Sequence, residues 1–355
     1  MSQTTQRKLA HVDICLRKKV EARAKGPGFG DCEFVHQALP EVDFSKINIE
    51  RVFLKKKLSA PFVIEAMTGG YTGAMKINEA LAHSAEEEGV ALALGSQRAM
   101  IESPALIPTY SVRAIAPSIP ILGNIGIAQI SRYGPARIST AIERIGADAL
   151  VVHMNPLQEV CQKEGDRNFS GFFKSLEKIC SGISCPVIAK ETGAGISMET
   201  AVKLERAGVA MIDVAGAGGT SWSAVESYRG SGETEFWDWG MPTAQSVVEC
   251  SQKVKIPIIA SGGVRSGHDA AKALALGASF AGAALPFLKK VNSGGSKSLI
   301  IELRSWKDEL KAAMFLSGAK DLNALSSAPI VITGKTAEAL RARGIDPKKF
   351  ASRQL

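Results

Sequence analysis

Within VVHMNPLQEV, Val151–Val160, an apolar run ends in His153, and Asn155, Pro156, Gln158 and Glu159 follow almost at once. Imidazole, amide and carboxylate groups so close together suit metal binding, hydrogen bonding or proton transfer. The same kind of ending recurs along the chain. Met67-Thr68-Gly69-Gly70, Gly95-Ser96-Gln97-Arg98, Gly123-Asn124, Lys190-Glu191-Thr192-Gly193, Gly216–Thr220 and Ser261–Gly267 each close an apolar run with glycines or polar groups, and another run closes near Ala284-Leu285. In SGGVRSGHDAAKALALGA, Gly262 and Gly263 precede Ser266, which opens a helical pattern with Asp269 in its first turn. Free amides at the glycines and the helix N-terminus, with Arg265 beside them, are expected to form an anion site.

The elements that would gather these endings can be read directly. The apolar runs are 61–67, 90–94, 119–125, 149–154, 185–191, 210–216, 256–263 and 278–284. They are rich in Val, Ile, Leu or Ala without alternation, as strands buried on both faces of a parallel sheet are. Helical patterns separate them. One spans 73–88 and stops at Gly89, one runs from Ser197 to Gly208, and one runs from Ser266 to Gly277. The order predicts a (β/α)8 TIM barrel over 61–295, with an N-terminal extension, 1–60, and a helical C-terminal extension, 296–355. A doubly wound sheet is the alternative, but no G-x-G-x-x-G follows the first run. In the barrel, every one of these endings faces one rim, where active sites of this fold lie. A phosphate loop after the seventh strand and a lysine after the fifth fit flavin mononucleotide, with Lys190 beside the part of the ring that gains negative charge on reduction.

The 355 residues are 45% apolar and 22% charged, the profile of a globular chain. The net charge is +8, and Arg7, Lys8, Arg17, Lys18, Lys19, Arg23 and Lys25 crowd the start. Nucleic-acid binding, an anionic small molecule and a solvated basic surface are all compatible with that. Six cysteines without a C-x-x-C pair suggest reduced thiols in a cytoplasmic protein. No apolar signal sequence or membrane span is visible.

RKLAH, MTGG, SQR, HMNPLQE, KETGAGIS, AGAGGTSW and GGVRSGHDAAKALALGA, in this order over roughly residues 6–290, resemble the type 2 isopentenyl-diphosphate isomerases. The resemblance implies an enzyme of isoprenoid biosynthesis that interconverts isopentenyl and dimethylallyl diphosphate. It also implies FMN, active when reduced, with NADH or NADPH as reductant, Mg²⁺, and a homo-oligomer, a tetramer or octamer. Carried over residue by residue, FMN would contact Met67, Thr68, Gly69, Ser96, Asn124, Lys190, Thr220, Gly262, Gly263, Arg265, Ala284 and Leu285. Substrate would contact Arg7, Lys8, Ser96, Gln97, Arg98 and Gln158, and His11 and Asn155 are expected beside it. Mg²⁺ would bind Glu159. His153 and Gln158 would orient groups or shuttle protons beside the N5 edge of the reduced flavin, which would supply or relay the proton. His153 as a neutral hydrogen-bonding residue beneath the diphosphate is equally consistent. The stretch 217–241, with Trp222, Glu226 and Arg229, would either close over the prenyl group or pack between subunits.

Two rivals are disfavoured. An FMN-dependent 2-hydroxy acid oxidase needs a histidine base before the phosphate loop, and no histidine lies between 154 and 267. A phosphate- or RNA-binding barrel would not require an acidic residue, Glu159, in an anion site. No nucleic-acid or membrane partner is therefore expected.

Overall fold

The computed structural model describes residues 3–353. Eight parallel strands close into a barrel: β1 (Phe62–Ile64), β2 (Ala91–Ala93), β3 (Ile121–Gly126), β4 (Ala149–His153), β5 (Val187–Lys190), β6 (Met211–Asp213), β7 (Ile258–Ala260) and β8 (Phe280–Ala283). Each lies on one of the expected apolar runs. β8 pairs with β1 and β6 with β7, so no sheet edge is left and the doubly wound alternative is excluded.

Alternation along the strands divides the core. Val63, Ala91, Leu122, Val151, Ile188, Met211, Ile259 and Phe280 form one cluster with Phe53 and Leu58 of the hairpin Arg51–Leu58. Phe53 meets the Phe280 ring edge-on, with centroids 4.6 Å apart, so the hairpin plugs the barrel interior. Lys56 and Arg113 both pair with Asp148, just before β4, and fasten the hairpin there. The alternate residues, such as Phe62, Ile64, Leu92 and Ile212, belong to the outer core shared with the helices.

The extensions are integral to this body. Cys32–Phe34 pairs antiparallel with Ile330–Ile332, joining the two ends of the chain. The boundary expected at 295 falls inside the helix Leu285–Leu316, at a kink where Gly294 and Gly295 leave helical geometry. Trp306, beyond that kink, is buried against Phe62 and Phe287, so the second half of this helix still covers the barrel. The six cysteines are free thiols. Among the described residues, no helix is long and apolar enough to cross a membrane.

Candidate functional site

The strand ends and the N-terminal helix Gln3–Arg17 line one cavity at the C-terminal mouth of the barrel. Nearly every expected site residue lines it, and the two exceptions are specific. Gln97 is buried, with its amide donating to Gly95 O (2.7 Å) and its oxygen accepting from Asn124 N, so it braces β2 against β3 rather than reaching a ligand. Gly69 lies under Tyr110, where an added Cβ would come 2.0 Å from the ring.

On one side of the cavity stands Lys190. Its ammonium donates to Asp213, to Ser261 Oγ (3.0 Å) and lies 3.2 Å from Glu65 Oε2. Burial works to discharge it, but the Asp213 and Glu65 carboxylates outweigh burial and hold the lysine above its usual range. Glu191 turns away from the cavity centre and accepts hydrogen bonds from the amides of Thr192, Gly193 and Ala194, which shapes the loop after β5.

The anion site differs from the expectation at one point. The helix Gly267–Ala275 has a capped, largely satisfied N-terminus. Ser266 Oγ accepts from Asp269 N (3.0 Å), Glu309 accepts from Gly267 N (2.7 Å), and Asp269 accepts from Arg265 N (3.0 Å). The Arg265 guanidinium pairs with Glu21 at 2.9 Å. The open helix end is that of Leu285–Leu316, whose Ala284 N-cap has no side-chain cap. The amides of Gly262, Gly263, Ala284 and Leu285 line the cavity and find no acceptor among the described residues. Gly262 (φ +95°) and Gly263 (φ +77°) must be glycine. Added Cβ atoms would fall 2.2 Å from Gly216 O and 2.7 Å from Pro27 Cβ. Orphaned amides at a glycine turn and a helix start are a phosphate cradle. With Lys190, Met67, Thr68, Asn124 and Thr220 lining the same cavity, this cradle fits FMN.

The other side is built from side chains. Arg7, Lys8 and His11 share a face of the N-terminal helix. Lys8 Nζ donates to Ser96 O (2.6 Å) and Tyr110 Oη (2.8 Å). Burial, with help from Arg7 and Arg98, pulls Lys8 down to about 7. Burial and Arg98 also lower Arg7. Arg98 itself pairs with Glu102 (2.9 Å). Crowded, partly desolvated cations of this kind are favourable only with an anion among them.

His11 joins this side to the loop after β6. Its Nε2 lies 2.9 Å from Glu226, and its ring meets Trp222 edge-on at 5.1 Å. Glu226 is fully buried. Burial alone would raise its pKa, but hydrogen bonds from His11, Gln158 and Arg229 prevail and hold it at about 2. The stretch 217–241 therefore has two jobs within one chain. Trp222 lines the cavity, and Trp237 clamps the N-terminal segment by carrying the Arg23 guanidinium 3.5 Å above its ring and donating to Glu21 O (3.0 Å).

Between the two sides lies the cluster after β4. Pro156 starts a short helix, Pro156–Cys161. Asn155 Nδ2 donates to Gln158 Oε1 (3.1 Å) and Glu159 Oε1 (3.0 Å), and Asp166 N donates to Glu159 Oε2 (2.7 Å). His153 Nδ1 is 2.7 Å from Asn124 Oδ1, an acceptor, which leaves its Nε2 as a lone pair. Burial, then Lys8, Lys190 and Arg7, lower His153 to about 4, so it is neutral at physiological pH. Among the described residues no group of three or more His, Cys, Asp and Glu side chains could hold a metal unaided. A cation at Glu159 would draw its remaining ligands from substrate and water.

Glu65, Asp213 and Tyr110 were not singled out from the sequence, and Ser261 was read only as part of a strand ending. The available signal was an acid inside each of two apolar strand runs, PFVIEAM and AMIDVAG.

Comparison with known proteins agrees with this geometry. Residues 137–332 match the family described as FMN-dependent dehydrogenase. A mandelate oxidase structure superposes with a TM-score of 0.65 at 17% identity, over 92% of this chain and 97% of that one. A flavocytochrome b2 variant does so with 0.69 at 19%, over 93% and 84%. At such identities these two show the fold alone. The isopentenyl-diphosphate delta-isomerase of Methanothermobacter thermautotrophicus is 49% identical over 98% of this chain and 99% of its own. That of Pyrococcus furiosus is 47% identical over 99% and 93%. With relatives so close over almost its whole length, the chain belongs to the isopentenyl-diphosphate delta-isomerase family, built on the barrel of the FMN-dependent dehydrogenases.

Proposed function

We propose that this protein interconverts isopentenyl and dimethylallyl diphosphate, using FMN reduced by NADH or NADPH and a Mg²⁺ ion at Glu159. The observation that carries the proposal is one cavity lined by both a backbone phosphate cradle, Gly262-Gly263 with Ala284-Leu285, and a separate cluster of half-buried cations, Arg7, Lys8 and Arg98. One cradle suits the phosphate of the cofactor. The cations suit a diphosphate of close to three charges, which arginine can grip through paired hydrogen bonds. Mg²⁺ commonly takes one or two carboxylates and fills its shell with phosphate oxygens and water, so Glu159 suffices.

The net reaction adds a proton at one end of an alkene and removes one two carbons away. When bound and reduced, FMN supplies acid–base chemistry at the alkene carbons. The protein's residues hold the reactants and control charge around them. Lys190 keeps a fixed positive charge on the cofactor side. His153 is neutral, so it acts as a hydrogen-bond acceptor through Nε2 rather than as the acid. Gln158 is held at both ends, by Asn155 and by Glu226, and so presents one orientation to the substrate. Trp222, braced by His11, helps exclude water from the mouth.

The test is conversion of isopentenyl diphosphate under anaerobic, reducing conditions, with FMN, Mg²⁺ and reductant each omitted in turn. Turnover should require all three. Full turnover without FMN overturns the cofactor assignment, and full turnover without Mg²⁺ overturns the role of Glu159.

A further inference from the structure

In the cavity wall, where Glu65 and Lys190 both line the cavity, two carboxylates face one ammonium. Lys190 Nζ pairs with Asp213 Oδ2 and lies 3.2 Å from Glu65 Oε2. Glu65 and Asp213 are 4% and 1% exposed. One ammonium neutralises one carboxylate. Two ionised carboxylates would leave an uncompensated charge in a dry site, and such pairs hold a proton instead.

The hydrogen bonds decide where that proton sits. Asp213 accepts from Lys190, from Ser261 Oγ (2.6 Å) and from Ala215 N (3.2 Å), three donors that favour its ionised form. Glu65 has only Lys190, and its Oε1 is buried with no partner. The charged groups facing Glu65 are Lys190 from β5 and Asp213 from β6. Ser261, after β7, bonds to both of those, and Gly282 of β8 offers only backbone, since an added Cβ there would fall 2.4 Å from Glu65 Oε1.

We propose that Glu65 and Asp213 are positioning residues forming a one-proton pair behind Lys190, with the proton on Glu65, and that this pair ties the affinity for reduced flavin to pH. The inference rests on the FMN reading of the cavity. While Glu65 is neutral, Asp213 alone offsets Lys190, and the ammonium can stabilise the negative charge that a flavin acquires on reduction. Once Glu65 ionises, that stabilisation weakens. Burial first, and Asp213 second, raise Glu65 to about 8, so it is neutral below that pH and ionised above it. Holding reduced flavin should therefore become harder as pH rises through this value.

The experiment compares the midpoint potential of FMN in the holoenzyme and in Glu65→Gln across pH, using a reference dye. Both share the protons that flavin itself takes up. Relative to Glu65→Gln, which stays neutral, the unaltered protein should lose reduced-flavin affinity by up to about tenfold per pH unit above the break. Asp213→Asn leaves Glu65 as the sole carboxylate facing Lys190, and it should move the break well below its position in the unaltered protein. Parallel profiles for all three proteins overturn the inference. Should the variants fail to fold, infrared spectra of the unaltered holoenzyme decide. A buried carboxylic-acid C=O band lost near pH 8, distinct from one lost near pH 7 where burial places Glu191, supports the pair, and no such band overturns it. A protein that takes up no FMN overturns the functional reading and this inference together, whereas FMN uptake with parallel profiles sinks only the inference.

Discussion

On the β5–β8 side of the cavity the anion site is mostly backbone, with amides at Gly262, Gly263, Ala284 and Leu285, each in a short run of consecutive residues. On the other side the cations are side chains from distant parts of the chain. Lys8 meets Ser96 across 88 residues, and His11 meets Glu226 across 215. A backbone cradle has a fixed shape and needs no side-chain ordering when a ligand arrives. A cluster of long side chains must be held by others, here Tyr110, Glu102 and Glu226, and its charge depends on what occupies it. The two sides should therefore respond separately to substitution, each ligand losing only its own support.

Lys190→Ala is the strongest test of that separation. It strands the Asp213 carboxylate without its cation, a change that typically costs about 3–5 kcal/mol in a buried site before protonation relieves it. FMN affinity should fall at least about a hundredfold, and the reduced form should suffer more than the oxidised form. Binding of inorganic diphosphate to the Arg7–Lys8–Arg98 side should change little. Equal losses of both ligands, measured by calorimetry, would mean that the two sides are one site.

Glu159→Gln probes the cluster between the two sides. It keeps the hydrogen bond from Asn155 in reach but removes the charge. Turnover should drop about a hundredfold, with a much weaker response to Mg²⁺, while FMN affinity stays within about twofold. Unchanged turnover and Mg²⁺ response in a titration would remove the metal from Glu159 altogether.

The asymmetry also explains what could be read from the sequence. All eight barrel strands were legible, because strands buried on both faces are short apolar runs whatever their partners. The backbone cradle was legible as GGVR for the same local reason. The plug Arg51–Leu58 was not, because its polar strand Lys56–Leu58 is buried on one side only and its partner Phe280 lies far along the chain. The kink at Gly294-Gly295 looked like a domain boundary and is a bend within a helix. Gln97 looked like a ligand contact in SQR, yet whether an amide faces a cavity or a neighbouring strand depends on pleat and register. Glu65 and Asp213 gain meaning only once barrel closure sets them beside Lys190.

A smaller effect is expected from pH on the side-chain face. Lys8 is lowered to about 7, so its folded value lies below its unfolded one. Between about 7 and its ordinary value the unfolded chain binds more protons, and stability gains from Lys8 as pH rises through that window. A bound diphosphate has the opposite preference and favours the charged lysine. Binding should then take up a proton above neutral pH, and affinity should weaken by up to about tenfold per pH unit there. Calorimetry in buffers of different ionisation heat measures the uptake. Lys8→Met should abolish it, and an uptake that persists in the variant would assign the proton elsewhere. FMN binding to the backbone cradle should show no comparable contribution from Lys8.

The smallest effect separates the two helix starts near the cradle. Ser266 caps the helix Gly267–Ala275 through Asp269 N, and Glu309 takes Gly267 N, so this helix end has little left to offer a phosphate. The end at Ala284-Leu285 carries no cap and opens into the cavity. Ser266→Ala should thus cost about 1 kcal/mol of stability, the usual loss of a serine cap, and leave FMN affinity within about twofold. If FMN affinity instead fell tenfold or more while the melting temperature barely moved, the satisfied helix end would be part of the phosphate site. The charge of Arg265, now turned to Glu21, would then have to swing round to meet the ligand.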